Sequence, residues 1–297
     1  MIISCGRILC LSSEIGFVSS NRCGGATRNE KHRMLKAALH VHSTYSDGEF
    51  TLAELKRIFS EAGCSVVGIT DHADSFDQNK LEDYIRECAS LSDDRFLFLC
   101  SLEYTCEEQM HILGYGATAL AQTKKPQEVI RHIQEREGLA VIAHPKDSMF
   151  TGIESFTVLP DGIEVWNSKY DGRYAPRPGT FEMLRRLRTR HSGMRAFYGQ
   201  DLHWKKQFRG LFIELQCDRL DRGEILKTLT AGNYFGVKAD LRLASTGELT
   251  ADLAAQFDAR HAQSDRMRNF LKAGKKAIDK LGVTAPASVK SHLRKLF

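Results

Sequence analysis

Two histidines two residues apart, followed by an aspartate in a tight turn, are the first residues here whose types and spacing could do chemistry. They lie in Leu35-Lys-Ala-Ala-Leu-His-Val-His-Ser-Thr-Tyr-Ser-Asp-Gly48. Leu35 to Val41 reads as a short apolar strand, and on a strand His40 and His42 leave the same face. Asp47 follows in a Ser-Asp-Gly turn, where the chain bends back toward the same point. Imidazoles and a carboxylate converging at a strand end have the makings of a metal site. On this segment alone, a buried histidine pair satisfied by backbone groups accounts for the pattern equally well.

The elements that must position these residues alternate. Thr51 and Glu54 form a capping box, Leu52, Leu55, Ile58 and Phe59 keep helical spacing, and Gly63 closes that helix. Ser65–Thr70 is a buried strand ending in Asp71-His72, and residues 78–91 form a second helix. Further strands are expected at 95–103, 111–116, 139–143, 162–167, 195–199 and 211–215, with helices at 126–137, 181–191 and about 221–231. Strands alternating with helices predict βα units and a largely parallel sheet. About seven units in roughly 210 residues fit a closed barrel better than an open sheet.

In such a barrel the loops at the C-terminal rim build the site. His40 and His42 end the first strand, His72 follows the second, Glu103 ends the third, and His144 follows a later one. Asp201 and His203 follow the last, whereas His111 opens its strand. A single histidine at a strand end is usually structural. Five strand ends each closing on His, Asp or Glu are not a chance pattern.

The blocks His-Val-His-Ser-Thr-Tyr-Ser-Asp-Gly (40–48), Ile-Thr-Asp-His (69–72), Glu103, His-Ile-Leu-Gly-Tyr (111–115), Ala-His-Pro (143–145) and Gly-Gln-Asp-Leu-His (199–203) resemble the PHP (polymerase and histidinol phosphatase) family. The resemblance runs from about Leu35 to Val237. It implies an α/β fold, a distorted (β/α)7 TIM-like barrel, holding up to three divalent metals. Carried across, His40, His42, Glu103 and Asp201 would hold the first metal. Glu103 would bridge to a second, also held by His111 and His144, while Asp47, His72 and His203 would hold the third. The ligand set is imidazole and carboxylate without thiolate, which suits Zn, Mn or Fe without choosing among them.

A cluster of divalent cations generates hydroxide at neutral pH and clamps the attacking and leaving oxygens of a displacement at phosphorus. The expected function is therefore metal-dependent hydrolysis of a phosphomonoester, a nucleotide or small metabolite, by metal-activated hydroxide. Glu103, Asp201 and His203 are the expected catalytic residues. Lys146, Asn167, Arg173 and Arg177 are the expected substrate contacts, since rim arginines can fork onto phosphate. Trp166 or Tyr174 could stack on a base, and Asp71 or Asp74 could orient His72. The alternatives are a 3′–5′ exonuclease on single-stranded nucleic acid, a histidinol phosphatase, and a non-catalytic metal-binding module.

The remaining sequence sets bounds. The chain has 297 residues, 42% hydrophobic and 27% charged, ordinary for a soluble globular protein. Its formal charge of +5 is carried by the tail: residues 241–297 hold 11 Lys/Arg against 5 Asp/Glu. The main body is thus near neutral and is no basic nucleic-acid platform. Eight scattered cysteines without a C-x-x-C pair suggest free thiols and a cytoplasmic location. No apolar run reaches the roughly 18 residues of a membrane span. The expected organisation is a disordered tail over 1–34, a barrel over 35–247 and a basic helical extension over 248–297. Translation starting at Met34 is expected, as is a solvated role for the extension, with helices at 249–261, 267–281 and 288–297.

Overall fold

The computed structural model describes residues 33–171 and 175–280. Residues 1–32 of the expected tail, the last expected helix, Arg173 and Tyr174 lie outside the described residues, and Met34 of that tail already belongs to the first strand. One sheet of ten strands organises the rest, in the order β10-β9-β8-β1-β2-β3-β4-β5-β6-β7. The strands are β1 Met34–Val41, β2 Val66–His72, β3 Leu97–Thr105, β4 His111–Tyr115, β5 Leu139–Ala143, β6 Gly162–Asn167, β7 Arg195–Gly199, β8 Phe212–Gln216, β9 Tyr234–Lys238 and β10 Leu241–Ala244.

Beyond β7 the chain returns to β1. The Gln200 N–H donates to the Leu39 carbonyl at 2.9 Å, and the His42 N–H donates to the Leu202 carbonyl at 3.0 Å. These bonds nearly close β1 to β7 into a barrel, the TIM-like architecture that the βα alternation predicts. Strands β8, β9 and β10 extend the sheet past β1 as an antiparallel run.

The helices are α1 Leu52–Glu61, α2 Gln78–Leu91, α3 Pro126–Gln134, α4 Phe150–Glu154, α5 Pro178–Arg188, α6 Arg222–Ala231 and α7 Ala251–Lys280. The capping box of α1 is formed: Thr51 N–H donates to Glu54 Oε2 at 2.8 Å, and Glu54 N–H to Thr51 Oγ1 at 3.3 Å. Leu52, Leu55 and Phe59 are buried from α1. Leu81, Tyr84 and Cys88 are buried from α2.

Three features differ from the sequence expectation. The sheet is mixed, because β4 pairs antiparallel with both β3 and β5. A short turn at Glu107–Gln109 replaces a crossover helix there, so β3 and β4 form a hairpin with Thr105 opposite His111. This is why His111 opens its strand: an antiparallel strand brings its first residue to the rim where its neighbour ends. Residues 234–244 form a β-hairpin. The extension is also one continuous helix across 261–267, since no Gly or Pro interrupts it.

The core is continuous and apolar, with Leu39, Val41, Ile69, Leu99, Val141 and Val165 each at most 1% exposed. At α7, Phe257 is buried and Leu253 packs against the core. Among the described residues, no helix is long and apolar enough to cross a membrane. The five cysteines there are unpaired.

Candidate metal centre

Glu103, at the end of β3 and 1% exposed, is the hub of the rim. Its Oε1 lies 2.8 Å from His111 Nδ1 and 3.4 Å from His144 Nε2. Its Oε2 lies 3.5 Å from His40 Nε2, 3.2 Å from His42 Nε2 and 3.3 Å from His72 Nδ1. Five imidazoles from four segments, His40 and His42 sharing β1 and its end, thus converge on one carboxylate. Asp201, also buried, lies 3.8 Å from each of His40, His42 and His144, and 3.1 Å from His203 Nδ1. Asp47 is half exposed at the mouth, 3.3 Å from His203 Nε2, 3.6 Å from His72 and 3.8 Å from His42.

Side-chain atoms fall within 4.8 Å of one another in three sets: His42, Asp47, His72 and His203; His40, Glu103 and His144; and His40, His42 and Asp201. All of the ligand positions read from the sequence are therefore brought together, His111 through its bond to Glu103. His42 also belongs with the Asp47 set, and His40 with the His144 set, a more interlaced grouping than the sequence reading gives.

Simple strand alternation does not deliver His40 and His42. Between Ala38 and Val41 the β1–β2 register slips, and His40 has a φ of 59°. This bulge re-aims the His40 ring, which lies 5.2 Å from that of His42. His144 and Asp201 are also left-handed, at φ 28° and 50°. Such backbone costs about 1–3 kcal/mol per residue and clusters at functional sites.

A second layer fixes the first. Glu164, fully buried in β6, accepts from His40 Nδ1 at 2.8 Å through Oε1. Its Oε2 accepts the His144 N–H at 2.9 Å and the Asn167 amide at 2.9 Å. Gly199 makes room for it, since a Cβ there would collide with the Glu164 carboxylate. Asp71 accepts from Ser43 N–H at 2.8 Å and Ser46 N–H at 3.1 Å, as well as from both hydroxyls. It thereby holds the turn that carries Asp47 rather than orienting His72. Asp74 pairs with Lys124 on the surface.

The electrostatics are those of a pocket short of positive charge. Burial alone would raise Glu103, but the His40 charge and the His111 and His144 imidazoles beside it hold it well below the ordinary carboxylate range. Asp201 is likewise held low, against burial, by His40, His203, His144 and His42. Burial opposes a charge on His40, yet Glu164, Asp201 and Glu103 raise it well above 6.5. His144 is raised by Glu103, Asp201 and Glu164 against the same opposition. Burial lowers His72. Four buried imidazole nitrogens of the rim have no hydrogen-bond partner: His40 Nε2, both nitrogens of His42, and His72 Nδ1. Buried imidazole nitrogens without partners cost stability unless something fills the space between them. Divalent cations fit: the donors are the right type, buried, convergent and short of partners.

The expected substrate contacts divide. Asn167 is fully buried and its amide is spent inside the protein. Nδ2 donates to Glu164 and, at 3.2 Å, to Asp201, while Oδ1 accepts the N–H groups of Lys169 and Tyr170. No part of it faces a substrate; it positions Asp201. Lys146 is exposed and donates to Gln109 at 3.1 Å. Arg177 lies 3.6 Å from buried Asp171, whose carboxyl burial pushes up to about 7. Trp166 is 1% exposed and cannot stack on a ligand.

Sequence reasoning missed Glu164, Lys169 and the exposed rim aromatics Tyr170 and Trp204. Lys169 donates to Asp201 at 3.0 Å and lies 3.3 Å from His203 Nδ1. The signal for Glu164 was a lone carboxylate inside an apolar strand. The signal for Lys169 was a cation two residues past the end of that strand.

The rim of this mixed barrel gathers imidazoles and carboxylates that could hold metal ions. A family model of the PHP domain matches residues 38–153 of this chain. No curated protein matches. A two-domain protein from Bacteroides vulgatus, containing a predicted PHP-like metal-dependent phosphoesterase, superposes with a TM-score of 0.52 at 14% identity. The match covers 72% of this chain and 67% of that one, and it shows the fold. A candidate metal-dependent phosphoesterase from Bifidobacterium adolescentis gives a TM-score of 0.43 at 16% identity, over 66% of this chain and 96% of its own. An amidohydrolase from Chromobacterium violaceum, with bound sulfate and no metal, gives 0.44 at 16% identity, over 59% and 90%.

Proposed function

We propose that this protein is a metal-dependent phosphoesterase that hydrolyses a phosphomonoester of a small molecule. The observation that carries this reading is Glu103, buried and within 3.5 Å of five imidazoles, four of whose buried nitrogens make no hydrogen bond. The name of the Bacteroides vulgatus protein, a predicted PHP-like metal-dependent phosphoesterase, points the same way.

We assign His40, His42, Asp47, His72, Glu103, His111, His144, Asp201 and His203 to three divalent cations, Zn, Mn or Fe. Such ions lower the pKa of bound water and neutralise charge on phosphoryl oxygens. Glu103 and Asp201 supply the buried negative charge that holds the cations together. Lys169 adds an ammonium beside Asp201 and His203, and with Lys146 and Arg177 it meets the phosphate oxygens. The unpaired cysteines accord with a cytoplasmic setting.

Elemental analysis of the purified protein, followed by a phosphoester panel with and without chelator, tests the assignment. The panel includes histidinol phosphate and single-stranded oligonucleotides. Bound metal with chelator-sensitive release of phosphate from a monoester is expected. Full metal loading without hydrolysis of any ester would make the protein a binding module.

A further inference from the structure

Five large apolar side chains are exposed among the described residues: Met34, Tyr170, Trp204, Met267 and Phe270. Two of them border the candidate metal centre. The Trp204 ring centre lies 5.5 Å from that of His203, and the Tyr170 ring centre lies 4.7 Å from that of His144. Tyr170 is two residues from 172–174, which lie outside the described residues, so the surroundings of Trp204 decide more.

Trp204 is 42% exposed, yet its backbone is fixed. Gln207, itself 94% buried, accepts the N–H groups of His203 at 2.7 Å and Trp204 at 3.0 Å through one oxygen. Glu49 N–H donates to the His203 carbonyl at 2.8 Å, and the Glu49 carboxylate accepts the Lys205 N–H. The indole is thus held at a set offset from a candidate cation ligand. It opens on a recess of about 340 Å³ lined by Glu49, Trp204, Lys205 and Lys206. Lys206 Nζ lies 5.4 Å from the centre of the ring. An indole left 42% exposed gives up part of its burial stabilisation. Its flat face suits a planar ring, because aromatic stacking tolerates any base. The two lysines suit an anionic ligand.

We propose that Trp204, Lys205 and Lys206 form a second subsite that takes the planar heterocycle of a nucleotide whose phosphate lies in the metal centre. This rests on the phosphoesterase reading for its phosphate end. Nucleotides then gain an interaction that sugar phosphates of the same charge lack.

Two measurements test it. The chain has two tryptophans, and Trp166 is 1% exposed, so ligand-dependent fluorescence reports chiefly on Trp204. Titrating the metal-loaded protein with adenosine 5′-monophosphate should quench fluorescence, and ribose 5-phosphate should not. Equal responses to both would overturn the subsite. In kinetics, Trp204→Ala should reduce kcat/KM for the nucleotide roughly 5- to 150-fold more than for ribose 5-phosphate. Trp204→Phe, which keeps a flat ring, should recover most of that selectivity. An equal loss on both substrates would also overturn the subsite. If no phosphoester is turned over, the phosphoesterase reading fails, and the fluorescence titration still decides the subsite.

Discussion

Glu164 accepts the Nδ1–H of His40 across 2.8 Å, between two residues 124 positions apart in the chain. This bond fixes which imidazole nitrogen faces the pocket: Nε2, 3.5 Å from Glu103. Partners of this kind set the tautomer and orientation of ligands. Glu164→Ala should lower metal affinity about 10- to 100-fold, measured by competition with a chelating dye. Retention of wild-type affinity would show that His40 is oriented by packing alone.

Glu103→Gln should act more severely, because a neutral amide cannot balance two cations or accept from several imidazoles. Bound metal and turnover should fall together. Turnover retained at wild-type metal occupancy would remove Glu103 from its bridging place.

The charge balance makes a pH prediction for the chelated protein. Glu103 and Asp201 titrate below their unfolded values, so their contribution is present above about pH 4.5 and is lost as pH falls through the folded values. His40 and His144 titrate above 6.5, so theirs is complete below that value and is lost as pH rises through the folded values. His72, lowered, works against those two histidines. The four groups together stabilise the ion-free protein most between about pH 4.5 and 6.5. Tm should fall from about pH 6 to about pH 8 under chelation. The rise in Tm on adding Mn²⁺ should grow over the same range, because protons no longer compete for imidazole. Calorimetry at both pH values, with and without metal, checks both signs.

Left-handed backbone at His40 inverts an ordinary ranking. Glycine is usually less stable than alanine in a strand by about 0.5–1 kcal/mol. At a φ of 59°, alanine bears about 1–2 kcal/mol of strain that glycine does not. The two cavities differ by one methyl group, so His40→Gly should equal or exceed His40→Ala by up to about 1.5 kcal/mol in urea denaturation. Alanine being clearly the more stable would mean that the bulge relaxes once the imidazole is gone.

Much of this site can be read from the sequence because its ligands sit at strand ends, where a short apolar run followed by His, Asp or Glu is visible locally. What escapes is set by distant partners. Glu164 looks like any charged residue until its bonds to His40 and His144 are known. The hairpin that reverses β4 depends on a turn at 107–109 that offers no Asn-Gly signature, although Glu108 and Gln109 both have positive φ. Trp166, expected to stack on a base, is turned inward by alternation along a bulged strand, while Trp204, which has no expected role, lies beyond the strand and is exposed.

Helix α7 reaches the rim. His261 Nε2 lies 3.1 Å from the Ala175 carbonyl and 2.9 Å from that of Pro176, in the loop that leads to Arg177. Phe257, 1% exposed, anchors the helix. Phe257→Ala should cost about 3–5 kcal/mol, and His261→Ala should raise KM more than it lowers kcat. Removing 248–297 would do both at once, so loss of oligonucleotide cleavage on truncation would not by itself implicate the basic charge. Unchanged stability in Phe257→Ala would mean that the extension is only loosely attached.

The hairpin between β3 and β4 leaves one imidazole dependent on a three-residue turn. His111 is delivered by register, not by a crossover helix, and strand side chains alternate faces at every step. One extra residue between Glu107 and Gln109 would point that ring away from Glu103 with every ligand codon intact. Among relatives, a length change in that turn is thus a lesion that an inventory of ligand residues would overlook.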